Sequence, residues 1–95
     1  MLFLGTITFK GENKAEFFKR ALELMEQGKW PPPGIKVINQ WSSLKGKKVT
    51  ALMEVENPGA LMEASDSMDD LADMDYEPVM PTADAMKLDY FVKKY

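Results

Sequence analysis

Two periods run through this chain. In LFLGTITFK, residues 2–10, apolar, aromatic and β-branched residues alternate with a period of two, which predicts a strand. Leu2, Leu4, Thr6 and Thr8 share one face of it; Phe3, Gly5, Ile7 and Phe9 share the other. After Gly11 the period changes. Phe17, Phe18, Ala21, Leu22 and Met25 recur at helical spacing, Asn13 and Glu16 have the spacing of a capping box, and Gly28 stands where a helix ends. The WPPPG segment that follows forbids continuation and reads as a stiff, extended connector, a strap that sets where the next strand starts.

Alternation returns in IKVINQW, residues 35–41, which predicts a second strand with Ile35, Val37, Asn39 and Trp41 on one face. SSLKGKK is a turn, and VTALMEVE, residues 49–56, is a third strand, so strands two and three make a hairpin. Asn57-Pro58 supplies an N-cap and a proline at the first helical position. The helix it opens runs to about Leu71, with Leu61, Ala64, Met68 and Leu71 inward. MDYEPVM, residues 74–80, is a fourth strand, placed at a sheet edge by Pro78. Thr82 caps a short last helix containing Met86, Tyr90 and Phe91, with Lys93 and Lys94 at its C-terminal end.

The order is βαββαβ with a C-terminal helix, the split-βαβ plan of an α+β, ferredoxin-like domain. Ninety-five residues make one domain, 1–95. Both helices then cover one face of the sheet. The bare face carries apolar residues, and such a face is not left in water. A second copy packed face to face covers it, so we expect a homodimer, a dimeric α+β barrel with a cavity near the sheet–sheet interface.

Composition narrows the chemistry. The chain has no cysteine and no histidine, so thiol chemistry, disulfides and the commonest general base and metal ligand are missing. Net charge is −3, but residues 1–48 carry nine Lys and Arg against four Glu, while residues 49–95 carry three Lys against eleven acids. The halves attract each other, within one fold or between two copies. An acidic chain of this size is a poor nucleic-acid binder, and Lys45, Lys47 and Lys48 flank Gly46 in a solvated hairpin loop. MLFLGTITFK has no basic flank and is too short and polar for a signal peptide, and no stretch reaches the length of a membrane span. The cytoplasm is the expected location.

The pieces MLFLGTITFK, PPPGIKVINQW, ALMEVENPGAL and MDDLADMDYEPVM, in that order and spacing, resemble the family that carries domain-of-unknown-function number 3303. The resemblance covers roughly residues 1–90. It implies the dimeric α+β barrel form of the ferredoxin-like fold, without an established function. That barrel class includes cofactor-free and haem-degrading monooxygenases, decarboxylases and isomerases, stress-response proteins and ligand-sensing domains, and fold alone does not choose among them. Family members often carry Trp shortly before the DDL-like segment. This chain has Met68 there, which gives any pocket lined by that residue another shape.

Six residues are candidates for a ligand pocket. Trp41 supplies a flat stacking wall and Asn39 a donor–acceptor amide on the same strand face, or Trp41 fills a dimer core and Asn39 bonds backbone. Analogy with monooxygenases of the barrel class points to the first reading, although a haem-degrading version needs an axial histidine; the tendency of a buried aromatic simply to pack favours the second. Glu54, sharing a face with Thr50, is a buried general base, or else a surface residue on the outer rim or a carboxylate paired with Lys10 or Lys36, and the latter two readings are favoured. Thr6 and Thr8 share a strand face, and Trp30 covers an end of the barrel or a cavity mouth. The eight methionines are core filler or an adaptable binding surface. Asp66, Asp69, Asp70 and Asp73 form one ridge if their helix continues, a solvated face rather than a calcium loop, since no glycine supplies the turn. No metal and no cofactor is expected. The leading expectation is a domain that binds a small hydrophobic molecule or serves a structural role. The alternatives are a cofactor-independent monooxygenase- or isomerase-like enzyme on an aromatic substrate, and a protein-interaction module using the acidic ridge.

Overall fold

The computed structural model describes residues 1–88. Its elements are β1 (Leu2–Phe9), α1 (Lys14–Glu26), β2 (Ile35–Ser42), β3 (Lys48–Val55), α2 (Gly59–Met68), β4 (Ala72–Pro78) and α3 (Thr82–Ala85). The sheet is antiparallel with order β2-β3-β1-β4. Sequential βαβ units interleaved this way define the ferredoxin-like α+β fold. Tyr90, Phe91, Lys93 and Lys94, expected in the last helix, lie outside the described residues.

One face of the sheet meets both helices. Phe17 and Ala21 of α1 pack with Met68, Leu71 and Ala72, and with Ile7 and Phe9 of β1. Leu61 of α2 packs with Ala51, Met53 and Val55 of β3. Phe17 meets Phe9 edge-on with ring centroids 5.2 Å apart, and Trp30 at 6.3 Å. Met68 is 0% exposed and belongs to this core.

Helix ends follow their local chemistry, with exceptions. At the end of α1, Lys29 N–H donates to Leu24 O (2.8 Å) and Gly28 N–H to Met25 O (3.0 Å), a Schellman motif that needs the left-handed φ of 70° at Gly28. Gly59 N–H donates to Asn57 Oδ1 (3.0 Å), so Asn57 caps α2 with Pro58 in the first turn. The capping box at α1 does not form. Asn13 has φ −89° and ψ 12°, not the extended backbone that aims a capping side chain, and it makes no side-chain cap bond. Thr82 is the first residue of α3 rather than its cap.

The acidic ridge does not form as one helical row either, because α2 ends at Met68. Asp70 instead accepts two hydrogen bonds from Arg20 of α1, at 2.6 and 3.0 Å. Arg20 also donates to Ser67 O (3.0 Å), and Lys10 Nζ to Asp69 O (2.6 Å) while lying 3.6 Å from Asp73. Two cations thus reach the carbonyl end of α2 and offset both its dipole and its aspartates. Here the basic and acidic halves attract within one chain.

The connector is less extended than its prolines imply. Ile35 N–H donates to Pro32 O (3.1 Å), and Gly34 has φ 98°. Proline followed by a left-handed glycine is the arrangement of a type II turn.

Candidate functional site

An apolar cavity of about 170 Å³ lies between α1, α2 and the sheet. Small residues leave the room. Gly5 and Ala51 are paired across β1 and β3, and Ala21 and Ala64 look down from the helices. A Cβ on Gly5 would come within 2.8 Å of Met53 Cε and 3.2 Å of Tyr76 Cδ1, so glycine is what lets these two side chains cross the floor. The rim is formed by Phe18 and Met25 of α1, by Val37 of β2, and by Trp30, Pro31 and Pro32 of the strap. Phe18 is 44% and Met25 54% exposed, so the cavity opens beside α1.

Three lining side chains carry a polar group: Trp30, Gln40 and Tyr76. None is charged at neutral pH. The Tyr76 hydroxyl accepts from Ser65 Oγ at 3.2 Å and donates to Met74 Sδ at 3.1 Å. Burial pushes its pKa up, and the bond from Ser65 opposes that only in part. Tyr76 is therefore a protonated donor. Its present acceptor, a thioether, is a weak one.

The other five candidates gather on the opposite, open face. The register sets Trp41 beside Thr50, in a cross-strand row that continues through Thr6 to Asp75, and Asn39 beside Leu52, in a row that continues through Leu4 to Glu77. Thr8 and Glu54 lie on the same face, with Lys36 opposite Glu54 on β2 and Leu2 on β1. The Glu54 carboxylate pairs with the Met1 amino group, and Asn39 Oδ1 accepts from Gln40 N–H at 2.9 Å. Trp30 alone of the six lines the cavity. The expected four-residue stripe on β2 is split. A bulge at Ile38, between Val37 and Asn39, turns Ile35 and Val37 to the helix side and Asn39 and Trp41 to the other.

Tyr76 was not among the sequence candidates. A signal for its cavity existed: the small residues Gly5, Ala21, Ala51 and Ala64, each where a core position would ordinarily be larger. Among the described residues no group of three or more acidic side chains could hold a metal ion. Nor is any helix there long and apolar enough to cross a membrane.

The class is thus a ferredoxin-like α+β domain with an apolar cleft under its first helix. Within that class, the chain belongs to the family described as domain of unknown function (DUF3303), whose model matches residues 1–90. No curated protein matches it. Among solved structures, a candidate antibiotic biosynthesis monooxygenase from Deinococcus radiodurans is similar, at 12% identity and TM-score 0.47 over 84% of this chain and 92% of that one. The fold assignment rests on strand order and connections, not on that likeness.

Proposed function

We propose that this domain binds a small hydrophobic molecule in the cleft between α1 and the sheet. The observation that carries the reading is an apolar cavity of about 170 Å³ with an exposed rim and an uncharged lining. An engineered apolar cavity of about 150 Å³ takes up benzene, so a ligand of about one ring fits here. Catalysis is the weaker reading, because the titratable group among the described lining residues, Tyr76, is held in its neutral form. In the same reading the working unit is a cytoplasmic homodimer closed across the open sheet face. That face supports a partner: Leu2, Leu4 and Leu52 lie on it, and Trp41 is 53% exposed.

The test is a titration of Trp41→Phe protein with toluene, following Trp30 emission. Saturable quenching that is lost when Ala51→Val fills the cleft, in a protein still folded by circular dichroism, is the expected result. A linear response, or one unchanged by Ala51→Val, refutes the reading.

A further inference from the structure

We propose that the cleft takes neutral, single-ring aromatic carbonyl compounds, and that the Tyr76 hydroxyl is the group that recognises the carbonyl oxygen. This rests on the binding reading above and adds a ligand class and a specificity-determining residue. Three features of the cleft lead to it.

The first is the balance of donors and acceptors. Trp30 offers only a donor and Gln40 offers both kinds. Tyr76, as a half-buried neutral phenol, offers a donor whose hydrogen now rests on Met74 Sδ at 3.1 Å. Exchanging that thioether for a carbonyl oxygen replaces a weak hydrogen bond by a normal one. Ser65 Oγ, at 3.2 Å, continues to donate to the Tyr76 oxygen, and such a chain polarises the hydroxyl toward a new acceptor. A ligand with an acceptor and no donor matches this set.

The second is charge. No lysine, arginine or carboxylate is among the described residues lining the cleft. Burying a carboxylate or an ammonium there without a partner is strongly unfavourable. Benzoate and benzylamine are excluded on that ground, although their ring size fits.

The third is placement. Tyr76 pairs with Gly5, and the Tyr76 ring and the Met53 methyl both crowd the space over Gly5 that a side chain there would take. The hydroxyl lies at the α2 end, beside Ser65, whereas the exposed rim is at α1. A ligand entering past Phe18 and Met25 therefore leads with its polar end.

The experiment uses acetophenone and its near-isostere α-methylstyrene, in which C=CH₂ replaces C=O, with benzoate as the charged comparator. Affinities are read from amide shifts in ¹H–¹⁵N spectra of the wild type and Tyr76→Phe. One neutral hydrogen bond corresponds to about a three- to tenfold change in affinity. We expect Tyr76→Phe to weaken acetophenone by that factor and to leave α-methylstyrene within about twofold. Benzoate is expected not to bind. In the wild type alone, the carbonyl stretch of bound ¹³C-labelled acetophenone is expected at lower frequency than in an apolar solvent, a readout that does not depend on the variant folding. Equal effects of Tyr76→Phe on both ligands, an unshifted carbonyl stretch, or benzoate binding as tightly as acetophenone would overturn the ligand class while leaving the cleft a binding site. If neither neutral ligand binds the wild type, the cleft reading falls, and this inference with it.

Discussion

Gly5→Ala tests whether the space under α1 is real and compliant. Gly5 is not among the positive-φ glycines, so alanine meets no backbone strain there. What it meets is Met53 Cε at 2.8 Å and Tyr76 Cδ1 at 3.2 Å. Carbon atoms sit comfortably at roughly 3.5–4.0 Å, so the Met53 methyl must withdraw by about 1 Å and the Tyr76 ring by a few tenths. In a filled core one extra methyl costs about 1–3 kcal/mol. Here the methionine, an unbranched and flexible side chain, can swing into the cavity it lines. Removing a glycine from the unfolded chain returns about 0.4–1 kcal/mol. The expected net change is within about 1 kcal/mol in either direction. Met68→Ala, which empties a 0% exposed core position, is the contrast and should lose about 2–5 kcal/mol. Urea unfolding of the three proteins gives both differences. The same Gly5→Ala protein should bind toluene at least about tenfold more weakly, since the new methyl and the displaced Met53 occupy ligand space. A loss above about 3 kcal/mol, or an unchanged toluene affinity, would refute the reasoning: the first means no free space for Met53, the second that the ligand sits elsewhere.

Two further predictions concern charge and assembly. The hydrogen bonds from Arg20 are the largest cause holding the Asp70 pKa below its ordinary value. A depressed carboxylate contributes stability above its unfolded pKa and loses it as pH falls through the folded one. Asp70→Asn should therefore be less stable than wild type at neutral pH, the gap closing as pH drops below the usual carboxylate range and shrinking in high salt; a gap that persists in acid would contradict the pair's role. Trp41→Ser should change protomer stability by no more than about 0.5 kcal/mol, since the side chain is 53% exposed, yet halve the mass seen by sedimentation. A mutant that stays dimeric, or a wild type that is monomeric, removes Trp41 from any interface.

Most of the fold was legible because periodicity and punctuation agree in this chain. The change from period two to helical spacing at Gly11, the glycine and prolines after α1, and Asn57-Pro58 each mark an element boundary that the structure keeps. Boundaries set by tertiary contact were less legible. The acidic helix stops at Met68 rather than near Leu71, where Arg20 and Lys10 reach its carbonyls, and β4 starts two residues earlier than its apolar pattern suggests because Ala72 pairs with Phe9. The bulge at Ile38 was invisible for a different reason. Strict alternation over Ile35, Val37, Asn39 and Trp41 is what an unbroken strand would show, and only the register against β3 reveals the extra residue. Cavities are harder still, since a void is a difference between packed volumes on four elements. The sequence carries only its trace, small residues at Gly5, Ala21, Ala51 and Ala64, with nothing to say that they face one another.

A cleft bordered by small apolar residues ought to collapse, and what prevents this is the frame around it. At about 24 cal/mol per Å³, leaving 170 Å³ unfilled forgoes at most about 4 kcal/mol. A domain of this size has a total stability of roughly 5–14 kcal/mol, so the void is a large share of it. The strap supplies the rigidity. It leaves α1 through the Schellman turn at Gly28, runs through three consecutive prolines, and closes on the hydrogen bond from Ile35 to Pro32. Gly34 O then accepts from Glu56 N–H at 2.9 Å, and a side chain at Gly34 would press on Asn57, the cap of α2. One rim of the cleft is thereby tied to the start of α2 through backbone, with no need for side chains to fill the space. Proline achieves this by limiting the unfolded chain rather than by adding contacts. It also explains why the two tryptophans are separated as they are. Trp30 stands on the rigid side of the bulge and packs edge-on against Phe17 within the cleft, while Trp41 lies past the bulge on the open face. A stiff strap and one extra residue in β2 divide a single short stretch of sequence between the two faces of the sheet.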